Sequence, residues 1–264
     1  MTAVTERPVD IRTGSRWLHT LRTDRWWVEP LITVGVLSAF VVYGTFVAFV
    51  NTDYFVDPYL SPFFSPCLAS NCEEATWDLF GTHWGFSPAL LILPFPLGFR
   101  LTCYYYRKAY YRSFLWSPPA CAVSDFRSSY TGETKFPLIL QNVHRYFFFL
   151  ALPFPIILLY DALRAFRFDG EFGMGLGTLI LLANAVLLGL YTLSCHSCRH
   201  LVGGGMNLLS QAPIRRRLWG VSTRLNARHM QYAWISLFGV LIADLYVRLL
   251  ATVSYTHLTL PTKA

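Results

Sequence analysis

The sequence predicts an all-α integral membrane protein, a bundle of five transmembrane helices with its N-terminus in the cytoplasm. Three observations predict it. The 264 residues are 54% hydrophobic and 17% aromatic but only 14% charged, with mean hydropathy +0.38, whereas a soluble domain carries about 25% charge. Five apolar segments reach the length of about 20 residues that crossing a bilayer requires. Loops rich in Lys and Arg alternate with loops that nearly lack them, and basic loops are retained in the cytoplasm.

Taken in order, residues 1–30 form a cytoplasmic arm with five arginines. No cleavable signal is expected there, because the first apolar run starts too late and is too long. The transmembrane domain covers residues 31–252 and opens with the first span, Leu31–Val50. An outer loop, 51–86, has no Lys or Arg but holds Asp53, Asp57, Glu73, Glu74 and Asp78. The second span, Ser87–Tyr106, returns the chain to a basic loop, 107–135, with five Lys or Arg. The third span, His144–Ala165, contains Pro153 and Pro155, tolerated in a membrane helix where neighbouring groups satisfy the freed carbonyls. A short loop, 166–172, precedes the fourth span, Gly173–Ser194. Six basic residues then fall within 199–228 before the fifth span, Gln231–Ala251. The tail "VSYTHLTLPTKA", residues 253–264, breaks abruptly from the preceding pattern and reads as a non-native translated adapter, so His257 is set aside. The net charge of +7 follows from topology and calls for no nucleic acid. No flavin or dinucleotide motif is present: "GEFGMGLG" lacks the strand that must precede such a loop.

This topology sorts five of the six cysteines and, with His257 set aside, the other six histidines by side. Cys67, Cys72 and His83 fall in the outer loop, where an oxidising compartment favours a Cys67–Cys72 disulfide. Cys103, Cys195 and Cys198 fall at the inner ends of the second and fourth spans, with His144, His196, His200 and His229 on the same side. His19 belongs to the arm and is read as a solvated surface residue. Reduced cytosolic thiols in a CxxC spacing are more often metal-binding or redox-active than bridged. On a continuing helix Cys195 and Cys198 share one face, while His196 and His200 share another, about 100° away. The glycines at 203–205 end that helix.

Three chemistries fit these residue types. A structural zinc would take a Cys2His2 set. A haem b near the inner leaflet would take two of His144, His200 and His229, but would leave the CxxC without a role. A [2Fe–2S] cluster with two cysteines on one iron and two histidines on the other uses both kinds of residue. The imidazoles move its potential from about −400 mV to roughly −150 to +300 mV, a range suited to reducing a quinone. An inner-face cluster that binds nothing is the remaining reading.

The segments "NTDYFVDPYLSPFFSPCLASNC", "SPALLILPFPLGFRLTCYYYRKAYYRSF", "FPLILQNVHRYFFF", "YTLSCHSCRH" and "LNARHMQYAW" together resemble a haem-free type of succinate dehydrogenase membrane anchor, from about Asp24 to Leu250. The resemblance implies a multi-pass subunit of the plasma (inner) membrane carrying a Rieske-type [2Fe–2S] cluster. It implies as partners a flavoprotein subunit, an iron–sulfur subunit docked on the cytoplasmic face, menaquinone and the lipid bilayer. Carried onto this chain, the ligands are Cys195 and Cys198, with two histidines from His144, His229, His200 and His196. The competing functions are a haem-b cytochrome subunit of another quinone-linked dehydrogenase and a non-redox membrane protein with a zinc-stapled inner face.

Arg100 is a charge inside the second span, and such charges are costly and functional by default. It is a candidate quinone ligand or cluster countercharge, unless it snorkels to the headgroups. Tyr106 and Trp27 are further quinone candidates; with Trp26 and Tyr104 they also fit an interfacial aromatic belt. Asp161 is expected to pair with Arg164. Asp244 is a candidate proton carrier unless Arg248, one turn on, neutralises it.

Overall fold

A computed structural model describes residues 17–66, 77–79, 82–84, 87, 89–125, 134–136 and 138–259. The expected Cys67–Cys72 disulfide lies outside the described residues.

The chain is mostly helical, as predicted. Helix α1 (Val28–Phe49) is a continuous apolar rod. The second apolar segment breaks into α2 (Ala89–Ile92), α3 (Pro94–Thr102) and α4 (Tyr104–Ser113). The third folds as a 3-10 turn followed by α5 (His144–Ala151) and α6 (Pro153–Arg164). Then come α7 (Leu176–Leu193), α8 (His196–Gly203), α9 (Pro213–Asn226) and α10 (His229–Thr259). The last of these runs without interruption into the tail that the sequence sets apart.

Four helical segments are long and apolar enough to cross a membrane: Val28–Phe49, Ile139–Arg164, Leu176–Leu193 and His229–Ser254. The fifth expected span is shorter, an apolar helix over Ala89–Thr102. Within it Pro94 and Pro96 occupy the first turn of α3, where a missing N–H costs nothing. At its other end Cys103 turns extended (φ −64°, ψ 135°) and stops the helix. Pro153 interrupts the third segment less, because Leu152 keeps helical angles (φ −58°, ψ −36°) and the axis continues.

The helices alternate in direction, giving the bundle two ends. α1 and α10 start at the near end, where α3 and α7 finish. The far end carries a hairpin of β1 (Phe55–Val56) with β2 (Tyr59–Leu60) and another of β5 (Arg167–Phe168) with β6 (Glu171–Phe172). A third hairpin pairs β3 (Trp77–Leu79) with β4 (Thr82–Trp84). These small sheets in loops are the departure from an all-α chain.

Helices α6, α7 and α10 meet through Ala162, Ala165, Ala185, Ala243 and Val247, all buried; small residues let membrane helices approach closely. Large apolar side chains such as Val41, Phe46, Ile156 and Leu249 stand exposed on the outer faces. Lipid, not water, suits that surface. At the far end Asp244 is fully buried, and Arg248 pairs with it at 3.0 Å. Tyr43 donates to the same carboxylate at 2.5 Å, and the Ser61 hydroxyl donates to its second oxygen. Neutralisation by Arg248 is thus the role that Asp244 has here. Asp161 accepts from Ser65, and Arg164 acts on it electrostatically.

Candidate functional site

At the near end four side chains from four separate places in the chain converge, Cys103, Cys195 and His229 buried and His144 half-buried. Cys103 sits at the α3–α4 break, and Cys195 at a matching break between α7 and α8, also extended (φ −64°, ψ 145°). His144 opens α5 and His229 opens α10. The His144 Nε2 lies 3.2 Å from the Cys195 sulfur. The His229 Nε2 lies 3.5 Å from the Cys103 sulfur.

The other nitrogen of each ring fixes its tautomer. His144 Nδ1 is 2.8 Å from Thr102 Oγ1, and that hydroxyl donates to the Gly98 carbonyl at 2.7 Å. His229 Nδ1 is 2.7 Å from Ser194 Oγ, which donates to the Tyr191 carbonyl at 2.9 Å. A hydroxyl has one hydrogen to give. Both hydroxyls use theirs on backbone, so both accept from an imidazole Nδ1–H. Each Nε2 lone pair is left facing sulfur, the orientation that outer hydrogen bonds impose on metal-ligating histidines. Aromatic rings hold the planes: Phe99 stacks on His144 at 5.0 Å between centroids, and Tyr191 on His229 at 5.1 Å. Burial pushes the Cys195 thiol up to about 12, so a thiolate there requires a cation beside it.

The expected ligands separate. Cys198, one turn into α8, is buried in the same apolar cluster, but neither His144 nor His229 hydrogen-bonds its sulfur. The helix break makes Cys195 the cap of α8, its sulfur accepting from the Ser197 N–H, with Cys198 in the first turn. The glycines do end α8 as predicted, with Gly204 extended and Gly205 at φ +71°. His196 and His200 are exposed and face one another, 3.0 Å between Nε2 atoms. Desolvation first, and then the neighbouring His200 and Arg199, hold the His196 pKa below its usual value. Cys103 entered the sequence analysis only by its side of the membrane; that placement was its one available signal, and the CxxC spacing outweighed it. Among the described residues no group of three His, Cys, Asp or Glu side chains could hold one metal ion. The donors come as two Cys–His pairs.

Arg100 is 8% exposed. It donates to the Tyr106 hydroxyl at 2.6 Å, to the Ala233 carbonyl at 3.2 Å and to Ser236 Oγ at 3.0 Å, and lies 4.6 Å from the Tyr191 ring centre. It does not snorkel. A cavity of about 390 Å³ ends on Arg100, Tyr191 and Phe99. It runs to Phe63 at the far end, and its wall includes Val41 and Leu97, which are exposed on the bundle's outside. Tyr106 stands behind Arg100, donating to Ala233 O at 2.6 Å, and Trp27 is exposed at the start of α1; neither lines this cavity.

Residues 28–253 match the model of a family described as the actinobacterial succinate dehydrogenase subunit SdhC. The chain belongs to that family. Its structure is similar to a chain of the Mycobacterium smegmatis Sdh1 complex in the apo form, with TM-score 0.82 and 48% identity, over 92% of this chain and 94% of that one. No curated protein matches it. Membership makes the chain a membrane-anchor subunit of succinate dehydrogenase, which does not itself oxidise succinate.

Proposed function

We propose that this anchor passes electrons from a docked iron–sulfur subunit through a [2Fe–2S] cluster to menaquinone. The observation that carries the reading is the set of two buried thiols and two largely enclosed imidazoles, with each Nε2 facing a sulfur and one aromatic ring between His229 and the Arg100 cavity. Two thiols and two imidazoles match in number and kind the four protein ligands of a Rieske-type cluster, two to each iron. The ligands in this reading are Cys103, Cys195, His144 and His229. Cys103 replaces Cys198 from the sequence reading, because its sulfur and not that of Cys198 reaches a histidine nitrogen. When bound, such a cluster supplies one-electron transfer at a potential set by its imidazole ligands.

The chain's own residues do the rest. Thr102 and Ser194 hold the two imidazoles in the ligating tautomer. Arg100 offers a hydrogen bond and a positive charge to a quinone carbonyl, favouring the form that gains negative charge before two protons complete the quinol. The apolar cavity houses the quinone and admits it from lipid past Val41 and Leu97. The near end faces the cytoplasm, because Arg107, Lys108 and the Arg215–Arg217 run of α9 lie there, as the retention of basic loops requires. Helix α9 gives the flavoprotein–iron–sulfur pair its docking face, and the plasma membrane is the setting.

Low-temperature EPR of the reduced whole complex tests the reading. A Rieske-like signal is expected, abolished by Cys103→Ser or Cys195→Ser and retained in Cys198→Ser. A signal lost in Cys198→Ser but kept in Cys103→Ser would return the site to the CxxC. A haem Soret band or stoichiometric zinc without that signal would overturn the cluster altogether.

A further inference from the structure

A second cavity, of about 330 Å³, opens at the near end between α1, α4 and α10, with Tyr105 in its wall between it and the His229 ring. Its floor is apolar, with Ile32, Val36 and Phe238. Its rim is charged: Glu29 from the first turn of α1, and Lys108 and Arg112 from α4. Lys108 and Arg112 are four residues apart and so stand on one face of the helix. None of the three makes an ion pair among the described residues, where the salt bridges are Arg22–Asp24 and Arg248–Asp244. Two cations and one anion thus share a pocket without neutralising each other, at the mouth of an apolar slot between the starts of two membrane-length helices.

We infer that this pocket binds an aminophospholipid of the inner leaflet, a phosphatidylethanolamine type. Its phosphodiester is held between Lys108 and Arg112, its ammonium meets Glu29, and an acyl chain runs down past Val36 and Phe238. Basic pockets between membrane helices on the cytoplasmic side are the kind that take lipid phosphates. The carboxylate sets the headgroup apart: a purely anionic lipid would leave Glu29 unanswered and repelled, and choline's methyl groups would block a hydrogen bond to it.

Native mass spectrometry of the whole complex, equilibrated with vesicles of phosphatidylethanolamine, phosphatidylglycerol or phosphatidylcholine, tests this. Phosphatidylethanolamine should be retained in preference to the other two. Lys108→Ala and Arg112→Ala should each cut retention roughly fivefold, about the strength of one basic side chain at an anionic surface, and Lys108→Arg should keep it. Glu29→Gln should erase the preference over phosphatidylglycerol while retaining lipid. Equal retention in wild type and the double alanine variant, with the complex assembled in both, would overturn the site. Preference for phosphatidylglycerol would overturn the assignment of Glu29, and inorganic phosphate displacing the lipid at matched concentration would show an anion site with no lipid specificity.

Discussion

The two ends of the bundle handle buried polarity in opposite ways. At the far end, Asp244 is closed off from inside the chain, with Arg248, Tyr43 and Ser61 all directed at its carboxylate. At the near end, Arg100 is held only by neutral groups, Tyr106, Ser236 and a backbone carbonyl. It keeps a net positive charge beside two thiols and two lone pairs. A charge answered within the chain serves the fold. A charge held in place but left unneutralised is available to something that arrives with negative charge.

The largest effect expected from this contrast is at the far end. Asp244→Ala strips the partner from Arg248, and breaking a buried pair costs about 3–5 kcal/mol; a thermal unfolding series on the detergent-solubilised complex measures it. A loss under 1 kcal/mol would mean the pair is solvated and the contrast is false. Arg100→Leu should raise the KM for quinone roughly ten- to a hundredfold, the worth of a hydrogen bond to a charged group. Succinate oxidation with a soluble dye as acceptor should be unchanged, and a fall in dye-linked activity would assign Arg100 to assembly instead. Ser194→Ala frees His229 to rotate or change tautomer. Loss of such an outer hydrogen bond typically weakens metal retention about ten- to a hundredfold, read as iron content during chelator challenge, and Ser194→Thr should restore it. The smallest effect is expected at Asn184 on α7. It is buried, and neither side-chain polar atom has a hydrogen-bond partner among the described residues. Asn184→Ala should therefore change stability by less than about 1 kcal/mol, since no paired hydrogen bond is lost. A larger loss would show that the amide has a partner in the assembled complex.

Much of this was legible in the sequence. Length and hydropathy alone located the apolar segments, because the bilayer sets one thickness for all of them. Charge placed His144, His229, Cys103, Cys195 and Cys198 at one end, where the structure has them. The Asp244–Arg248 pair followed from helical spacing. The helix breaks were not legible, since neither "RLTCYYY" nor "TLSCHS" contains the Gly or Pro that usually signals one. The Cys195 break is held from afar. Asn226 donates to the Ser194 carbonyl at 2.8 Å, and His229 binds the Ser194 hydroxyl from 35 residues away. At the other break, Thr102 is tied to His144 across 42 residues. With the breaks unseen, CxxC looked like a ligand pair on one helix face, and Cys103 looked like one small residue before a run of tyrosines.

Both donor cysteines occupy the single extended residue between a membrane helix and a helix at the surface, with nearly the same backbone angles. Such a residue is the fulcrum of a lever. Were α4 or α8 to tilt, its far end would sweep the widest arc and the fulcrum would move least. The thiols are therefore set at the mechanically quietest points of the two parts most exposed to being pushed.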